Sequence, residues 1–269
     1  MPRLFVSPLR RVSPDGSRND QDLVAVEAPL TIEVQADGAA LQSLGVFLRT
    51  PGDDESLALG LLYSEGVIRS IADVAGTNLT MAADEASATI RVALASHVAF
   101  DAAALGRSGI SSTSCGLCGR LTDQLGNRLP APKNETGTHF AEMSPGLIFS
   151  LPQKLREAQQ LFEETGGLHA AGLFDHQGVA VDISEDVGRH NAVDKVVGRA
   201  LARGQLPATG RILVVSGRIA FEIVQKAAMA GVPAIVAIGA PTSLAVLAAR
   251  EAGVQLIGFA RDDRYNIYS

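Results

Sequence analysis

The two cysteines of this 269-residue chain, Cys115 and Cys118, lie three residues apart in a stretch rich in glycine and serine. A cysteine thiolate is the nucleophile of disulfide exchange and sulfur transfer, and it is also a metal ligand. Residues 111–114 lead into the pair, and Gly116 and Gly119 each follow one cysteine. The stretch is therefore predicted to be a mobile loop that carries a dithiol.

Four interpretations of this pair compete. A structural zinc site needs about four ligands, and the pair supplies two, with no histidine close in sequence. A thioredoxin-like redox pair normally follows a strand and opens a helix, which is not the context of Cys115 and Cys118. The cysteines would be incidental if they lay in an apolar segment, and they do not. The fourth interpretation is a carrier thiol that accepts a group in one place and delivers it in another, and we expect no resident metal.

Three polar segments follow apolar strands in the second half of the chain, where an open α/β sheet binds its ligands. Arginine forks suit phosphate, carboxylates suit the N–H edge of guanine, and Thr242 or Ser243 can cap a helix whose amides face an anion. Ordinary capping and surface ion pairs are the alternative. The candidate residues in these segments are Ser216, Arg218, Thr242, Ser243, Phe259, Ala260, Arg261, Asp262, Asp263 and Arg264.

A fourth polar stretch, residues 185–195, comes just before and inside a predicted helix. His190 and Asp194 are four residues apart, so they share a helix face and can line the same pocket. A solvated helix start is the alternative. His169 begins an apolar strand, where a packed histidine is the simpler interpretation, although it could also approach the loop thiols.

Composition narrows the class of protein. The net charge of −6 argues against a general nucleic-acid binder. Two cysteines do not make a secreted disulfide framework, and the N-terminal residues lack the apolar core of a signal peptide. No uncharged run reaches the roughly 18 residues of a membrane span. A cytoplasmic setting without membrane or nucleic-acid partners is expected.

The elements that must position these residues indicate an α/β protein in two parts. We predict a loose tail over 1–21, a small α+β domain over 22–105, a loop and linker over 106–143, and a cofactor-binding domain over 144–269. The last part reads helix, strand pair, then alternating helices and strands, which implies parallel strands in a mixed sheet flanked by helices. This order resembles the cytidine-deaminase-like fold. Deaminase chemistry is not expected, because His169-Ala170-Ala171 lacks the glutamate that such enzymes require.

Six short motifs stand out along the chain. They are Thr50-Pro-Gly-Asp-Asp54, Ser114-Cys-Gly-Leu-Cys-Gly119, Thr165-Gly-Gly-Leu-His-Ala170, Glu185-Asp-Val-Gly-Arg-His-Asn-Ala-Val-Asp-Lys195, Ser216-Gly-Arg218 and Ala240-Pro-Thr-Ser243. Together they resemble the family of formate dehydrogenase accessory sulfurtransferases, FdhD. The segment from Phe259 to Arg264 and the ending Tyr265 to Ser269 fit as well, so that the likeness runs from about residue 22 to the C-terminus.

The resemblance implies a sulfur carrier. Such proteins take persulfide sulfur from a cysteine desulfurase and pass it to bis-molybdopterin guanine dinucleotide, the cofactor of formate dehydrogenase. It implies that Cys115 carries the persulfide, that Phe259 to Arg264 bind the cofactor, with GDP as a mimic, and that the protein is a homodimer. A chaperone that only binds and protects the cofactor, and a zinc-binding module, are the competing functions.

Overall fold

A computed structural model describes residues 1–83, 85–101 and 143–269, and the backbone of residues 110 and 111. Cys115 and Cys118 lie outside the described residues, so the mobile loop expected around them stays a prediction. The described residues form a mixed α/β protein with two large sheets, one small sheet and six α-helices.

The N-terminal residues form a long β-hairpin, so the predicted loose tail is wrong. Strands β1 (Leu4–Ser13) and β2 (Gly16–Ala25) pair antiparallel along their whole length. The turn between them contains Pro14 and Asp15, and Gly16 follows at a φ of 132°, a conformation that glycine adopts readily. The hairpin is held by backbone hydrogen bonds and by cross-strand ion pairs, such as that between Arg11 and Asp20 at 2.8 Å. Its side chains bury little surface. The polar composition therefore hid the strands, although Asp15-Gly16 is a recognised hairpin signal.

The first large sheet has five strands in the order β5-β6-β3-β4-β7. The strand β3 pairs antiparallel with β4 and parallel with β6, and its residues alternate between buried and half-buried. One helix, α1, follows β4 and packs on this sheet. The bounds are β3 (Ala28–Gln35), β4 (Gln42–Arg49), α1 (Asp54–Ser64), β5 (Val74–Met81), β6 (Ala88–Leu94) and β7 (Ile110–Ser111).

The second large sheet has six strands, and its order is β13-β12-β11-β10-β8-β9. The three strands that alternate with helices, β10 to β12, are parallel as predicted, and β8 runs antiparallel to both of its neighbours. The bounds are α2 (Pro145–Glu157), α3 (Gln160–Thr165), β8 (His169–Phe174), β9 (Ala180–Asp186), α4 (Arg189–Ala202), β10 (Ile212–Val215), α5 (Phe221–Met229), β11 (Ala234–Ala237), α6 (Ser243–Ala252), β12 (Gln255–Gly258) and β13 (Asn266–Ile267).

One predicted helix is in fact two. The sequence suggested a continuous helix from 151 to 165, but α2 ends at Glu157 and α3 begins at Gln160. Glu185 accepts the backbone N–H groups of Leu161 (3.0 Å) and Phe162 (2.7 Å), so it stabilises the start of α3 where a continuing helix would have used those donors itself.

Two hydrophobic cores lie on opposite faces of the six-stranded sheet. On one face, Leu151 and Leu155 of α2 pack against strand residues such as Val214 and Val236. On the other face, a larger core joins α4, α5 and α6 to α1 and to the five-stranded sheet behind it. The layers are therefore helix, sheet, helices and sheet.

Glycines let α1 and α4 cross in direct backbone contact. A Cβ atom at Gly60 would overlap the carbonyl oxygen of Asp194, and one at Gly198 would overlap the carbonyl oxygen of Ser56. The crossing joins the two predicted domains through one continuous core. The domain boundaries and the cytidine-deaminase-like likeness of residues 144–269 stay predictions.

Candidate functional site at the carboxyl edge of the parallel strands

Three loops meet at the carboxyl ends of β10, β11 and β12, and backbone hydrogen bonds join each loop to the next. The N–H of Ile219 donates to the carbonyl of Ala240 at 3.0 Å, and the N–H of Thr242 donates back to Ile219 at 2.9 Å. The N–H of Phe259 donates to the carbonyl of Gly239 at 3.1 Å. The three segments chosen from the sequence thus form one continuous surface at the sheet edge.

Glycine is required where these loops touch. A Cβ at Gly239 would lie 2.5 Å from the carbonyl oxygen of Gly217, and one at Gly258 would lie 2.8 Å from Cδ of Pro241. Real Cβ atoms do not approach backbone this closely, so larger residues would force the loops apart. The close contacts at Gly239 and Gly258 therefore hold the three loops against one another.

The last loop contains the candidate residues from Phe259 to Arg264. Phe259 is 41% exposed and has a φ of 54°, a left-handed conformation that is rare for a bulky side chain and is found preferentially at functional sites. Ala260 is buried, while the four residues after it are exposed. The loop closes on itself through the N–H of Arg261, which donates to the carbonyl of Arg264 at 2.9 Å.

The two arginines of this loop differ. Nη1 of Arg261 donates to the carbonyl oxygens of Ile238 (2.7 Å) and Ala260 (3.0 Å), so its guanidinium is held against the neighbouring loop. Arg264 is exposed, and its side chain has no partner among the described residues. The loop therefore offers one fixed and one adaptable donor group, beside the exposed carboxylates of Asp262 and Asp263.

The other loops show which of their candidate residues are free to bind. The Ser216 hydroxyl accepts the N–H of Ala170 at 2.9 Å, so it links two strands. Thr242 caps α6 by accepting the N–H of Ala245 at 3.3 Å, as its position predicted. Arg218 and Ser243 are exposed at this edge.

His190 lies in the first turn of α4, and its Nε2 is 3.9 Å from Oε2 of Glu222 in the first turn of α5. Both side chains are 15% exposed. Its predicted companion Asp194 is buried deeper, where it accepts hydrogen bonds from Lys226 (2.6 and 2.7 Å) and from Ser64 (3.1 Å). Asp194 therefore joins three helices, and the proposed pocket shared with His190 is replaced at this position by a buried ion pair.

Most of the polar stretch 185–195 is structural. Asp186 and Lys195 form a fully buried ion pair at 2.7 Å. Asp186 also accepts N–H groups from Thr50 (3.2 Å) and Gly188 (2.8 Å) and from the side chain of Asn191 (2.9 Å), and Lys195 donates to the carbonyl of Thr50 at 2.9 Å. The stretch thereby fastens the turn after β4 to α4.

His169 and Arg189 were not selected as site residues from the sequence, yet both lie at the same edge. A Cβ built on Gly217 would be 3.3 Å from Nδ1 of His169 and 3.6 Å from Cβ of Arg189. Burial lowers the pKa of His169 below its ordinary value of 6.5, and the nearby charge of Arg189 lowers it further, whereas Asp186 acts in the opposite direction. No local sequence pattern marks this contact. It arises from the antiparallel pairing of β8 with β10, which brings residue 169 beside residue 217.

Among the described residues, no three histidine, cysteine or acidic side chains are grouped closely enough to hold a metal ion. In the same part of the chain, no helix combines the length and apolar character needed to cross a membrane. The chemistry that the described edge supports is therefore binding by guanidinium groups, carboxylates and backbone amides.

Comparison with known proteins identifies the family. The FdhD/NarQ family model matches residues 25–269. The sulfur carrier protein FdhD of Streptomyces avermitilis is 44% identical over 92% of this chain and 87% of its own length. The protein of that name from Saccharolobus solfataricus is 44% identical over 97% of this chain and 94% of its own.

A solved structure has the same fold. It is described as a formate dehydrogenase accessory protein from Desulfotalea psychrophila, and it aligns with a TM-score of 0.71 and 23% identity over 100% of this chain and 97% of its own. At that identity the likeness concerns the fold alone, whereas the family rests on the matched model and the two relatives. This chain belongs to the FdhD/NarQ family.

Proposed function

We propose that this protein is a sulfur carrier that takes persulfide sulfur from a cysteine desulfurase and delivers it to bis-molybdopterin guanine dinucleotide, as formate dehydrogenase requires. The observation that carries the proposal is the pair Cys115 and Cys118 in a chain whose relatives are named sulfur carrier proteins. The candidate edge supports the proposal, because guanidinium groups, carboxylates and backbone amides suit a guanine nucleotide.

The loading step needs no external oxidant. The Cys115 thiolate attacks the outer sulfur of the donor persulfide, the sulfur–sulfur bond of the donor breaks, and its electron pair stays on the donor cysteine. Cys115 then carries the sulfur as its own persulfide. Cys118 assists by holding or resolving this sulfur. When Cys118 resolves it, its thiolate attacks the inner sulfur, hydrosulfide leaves to the cofactor, and a Cys115–Cys118 disulfide forms, which a thiol reductant reopens to the two thiolates.

The edge of the parallel strands binds the guanine end of the cofactor. Asp262 or Asp263 accepts from the N1–H and the exocyclic amine of guanine, and Arg261 and Arg264 contact phosphate. Five further candidate residues lie on the neighbouring loops and on the first turn of α4: Ser216, Arg218, Thr242, Ser243 and His190. Adenine lacks this donor pair and would leave a carboxylate unpaired, at a cost of roughly 1–3 kcal/mol.

Three further features belong to the proposal. The protein acts in the cytoplasm, where thiols stay reduced. It works as a homodimer, which suits a cofactor with two guanine nucleotides. Residues 144–269 adopt a cytidine-deaminase-like arrangement that carries the nucleotide site at its strand edge.

The decisive experiment is mass spectrometry after incubation with a cysteine desulfurase and cysteine. We expect Cys115 to gain one sulfur atom, Cys115→Ala to gain none, and Cys118→Ala to load normally but to deliver poorly. A strain carrying Cys115→Ala should lack formate dehydrogenase activity although the protein folds. Normal activity in that strain, or no sulfur on Cys115, would favour a chaperone that only binds the cofactor.

The nucleotide site has its own test. GDP should bind at least about tenfold more tightly than ADP, a difference of about 1.4 kcal/mol, and the Arg261→Ala, Arg264→Ala double variant should weaken GDP. Calorimetry with both nucleotides measures this. Equal affinities would place the cofactor elsewhere.

A further inference from the structure

Arg189, the first residue of α4, is a half-buried cation that has no counter-ion among the residues that the structure describes. Its Nε atom is buried and has no hydrogen-bond partner, and among the described residues none forms an ion pair with its guanidinium. Such groups are rare, because a buried donor without a partner loses its hydrogen bonds to water and gains none in return, and the loss is larger when the donor is charged. This unmatched charge therefore requires an explanation.

Two acids near the start of α4 already have donors. Asp186 pairs with Lys195 and accepts three further N–H donors. Glu185 accepts two backbone N–H groups at the start of α3, and Glu222 lies nearest to His190, at 3.9 Å. Within the described part of the chain, none of these three carboxylates forms an ion pair with Arg189, so its positive charge is unpaired there.

The start of α4 differs from that of the other long helices in this layer. Thr242 caps α6, and α1 and α5 each have acidic residues in their first turns. The N-cap residue of helix α4 is Gly188, which offers no capping side chain, and the helix has no acidic residue in its first turn. Its N-terminal amides and dipole add to the positive potential around Arg189.

Arg189 also stands in line with the candidate nucleotide site. His169 and Arg189 border Gly217, Gly217 touches Gly239, and Gly239 accepts the N–H of Phe259. These positions follow the strand order β8, β10, β11 and β12. Gly217 follows β10, which is two strand spacings of about 4.8 Å from β12, so Arg189, which borders Gly217, lies roughly 10 Å from the loop that begins at Phe259.

We propose that Arg189, together with His169 and the N-terminal amides of α4, is an anion-binding site at the far end of the nucleotide edge. This proposal rests on the proposed function, because two groups of that reaction carry a compact negative charge: the diphosphate of the cofactor and the sulfur anion being transferred. The guanidinium supplies paired donors to either. The neutral imidazole of His169 supplies a further N–H donor. Unlike a carboxylate, it does not repel the anion.

The test is calorimetry of inorganic diphosphate, GDP and guanosine with the parent protein and three variants. Arg189→Gln should weaken diphosphate and GDP at least about tenfold and leave guanosine unchanged, and Arg189→Lys should recover part of the affinity. Arg211→Gln is the matched control, since Arg211 precedes β10 at the opposite edge of the sheet and carries the same charge. It should change each affinity less than about twofold.

A second arm identifies the source of the anion. Hydrosulfide is titrated while the His169 ring is followed by nuclear magnetic resonance, and a bound anion should raise the pKa of His169 because it offsets the Arg189 charge. A shift with diphosphate assigns the site to the cofactor, and a shift with hydrosulfide alone assigns it to the sulfur. If neither probe nor GDP depends on Arg189, the proposal is wrong. Sulfur loading of Cys115, measured separately, reports on the proposed function whatever the anion result.

Discussion

Helix α4 carries two kinds of charged region. In its middle, Lys195 and Asp194 are buried and paired, with Asp186 and Lys226 respectively, and these pairs join α4 to the end of β9 and to α5. In its first turn, Arg189 has no counter-ion among the described residues. In the sequence the two regions look alike, because both contain closely spaced polar and charged residues. The difference indicates that the charges in the middle of α4 maintain the fold, whereas the charge of its first turn has no such role within the described residues and belongs to the proposed anion site.

The largest effect should come from breaking a pair in the middle of the helix. Lys195→Met leaves the Asp186 carboxylate buried without its cation, and we expect a loss of about 3–5 kcal/mol in the free energy of unfolding. Arg203→Met is the control, because Arg203 is 51% exposed where it pairs with Asp182, and surface pairs contribute about 0–1 kcal/mol. Chemical denaturation measures both. Equal losses would mean that burial of the pair does not matter.

The next effect concerns the helix crossing that these pairs surround. Gly198→Ala places a methyl group against the carbonyl of Ser56, so α1 and α4 must separate, and we expect a loss of about 1–3 kcal/mol. Gly146→Ala in α2 has open space around the added methyl group and should be neutral or slightly stabilising. If Gly198→Ala unfolds at the same denaturant concentration as the parent, the close crossing is not required.

A smaller effect of opposite sign is expected at the first turn. Arg189→Met removes a half-buried cation whose Nε has no hydrogen-bond partner in the part of the chain that the structure describes, so the free protein should be as stable as the parent or more stable by up to about 1 kcal/mol. Saturating diphosphate should stabilise the parent and not the variant, because a ligand that binds only the folded state shifts unfolding. Thermal unfolding with and without diphosphate measures this. A loss of stability on substitution would assign Arg189 a structural role.

The smallest effect is the pH dependence contributed by His169. Its folded-state pKa lies below the ordinary value of 6.5, because burial and then the Arg189 charge disfavour the imidazolium more than Asp186 favours it. Below 6.5 the unfolded chain therefore takes up a proton that the folded protein does not. The contribution is absent above 6.5 and becomes destabilising as the pH falls toward the folded pKa.

Comparison of the parent with His169→Gln isolates the pH-dependent contribution of His169 to the free energy of unfolding. The stability of the parent relative to that of the variant should fall as the pH drops through 6.5, and it should be constant above that value. Urea denaturation over the pH range measures the difference. A relative stability that rises in acid would mean that the imidazolium is favoured in the folded state, contrary to the excess of positive charge inferred at this edge.

Local patterns predicted several elements well. The apolar runs that became β10, β11 and β12 are bounded by glycines and polar residues, and Thr242 has the position and the side chain of a helix cap. The hairpin of residues 4–25 was missed, because it depends on pairing between strands more than on burial. The break between α2 and α3 was also missed, because Glu185, a residue more than twenty positions away, supplies the oxygen atoms that start α3.

By itself, the sequence determined that the chain has one dithiol, an alternation of helices and strands in its second half, and charged loops after those strands, since all three depend on residue type and short spacing. The tertiary structure alone decided which charges are paired. Asp186 and Lys195 are satisfied through Thr50, more than 130 residues away, whereas Arg189, beside His169 and Gly217, has no paired acid in the described ranges. Pairing of charges depends on contacts between distant parts of the chain, which no local pattern encodes.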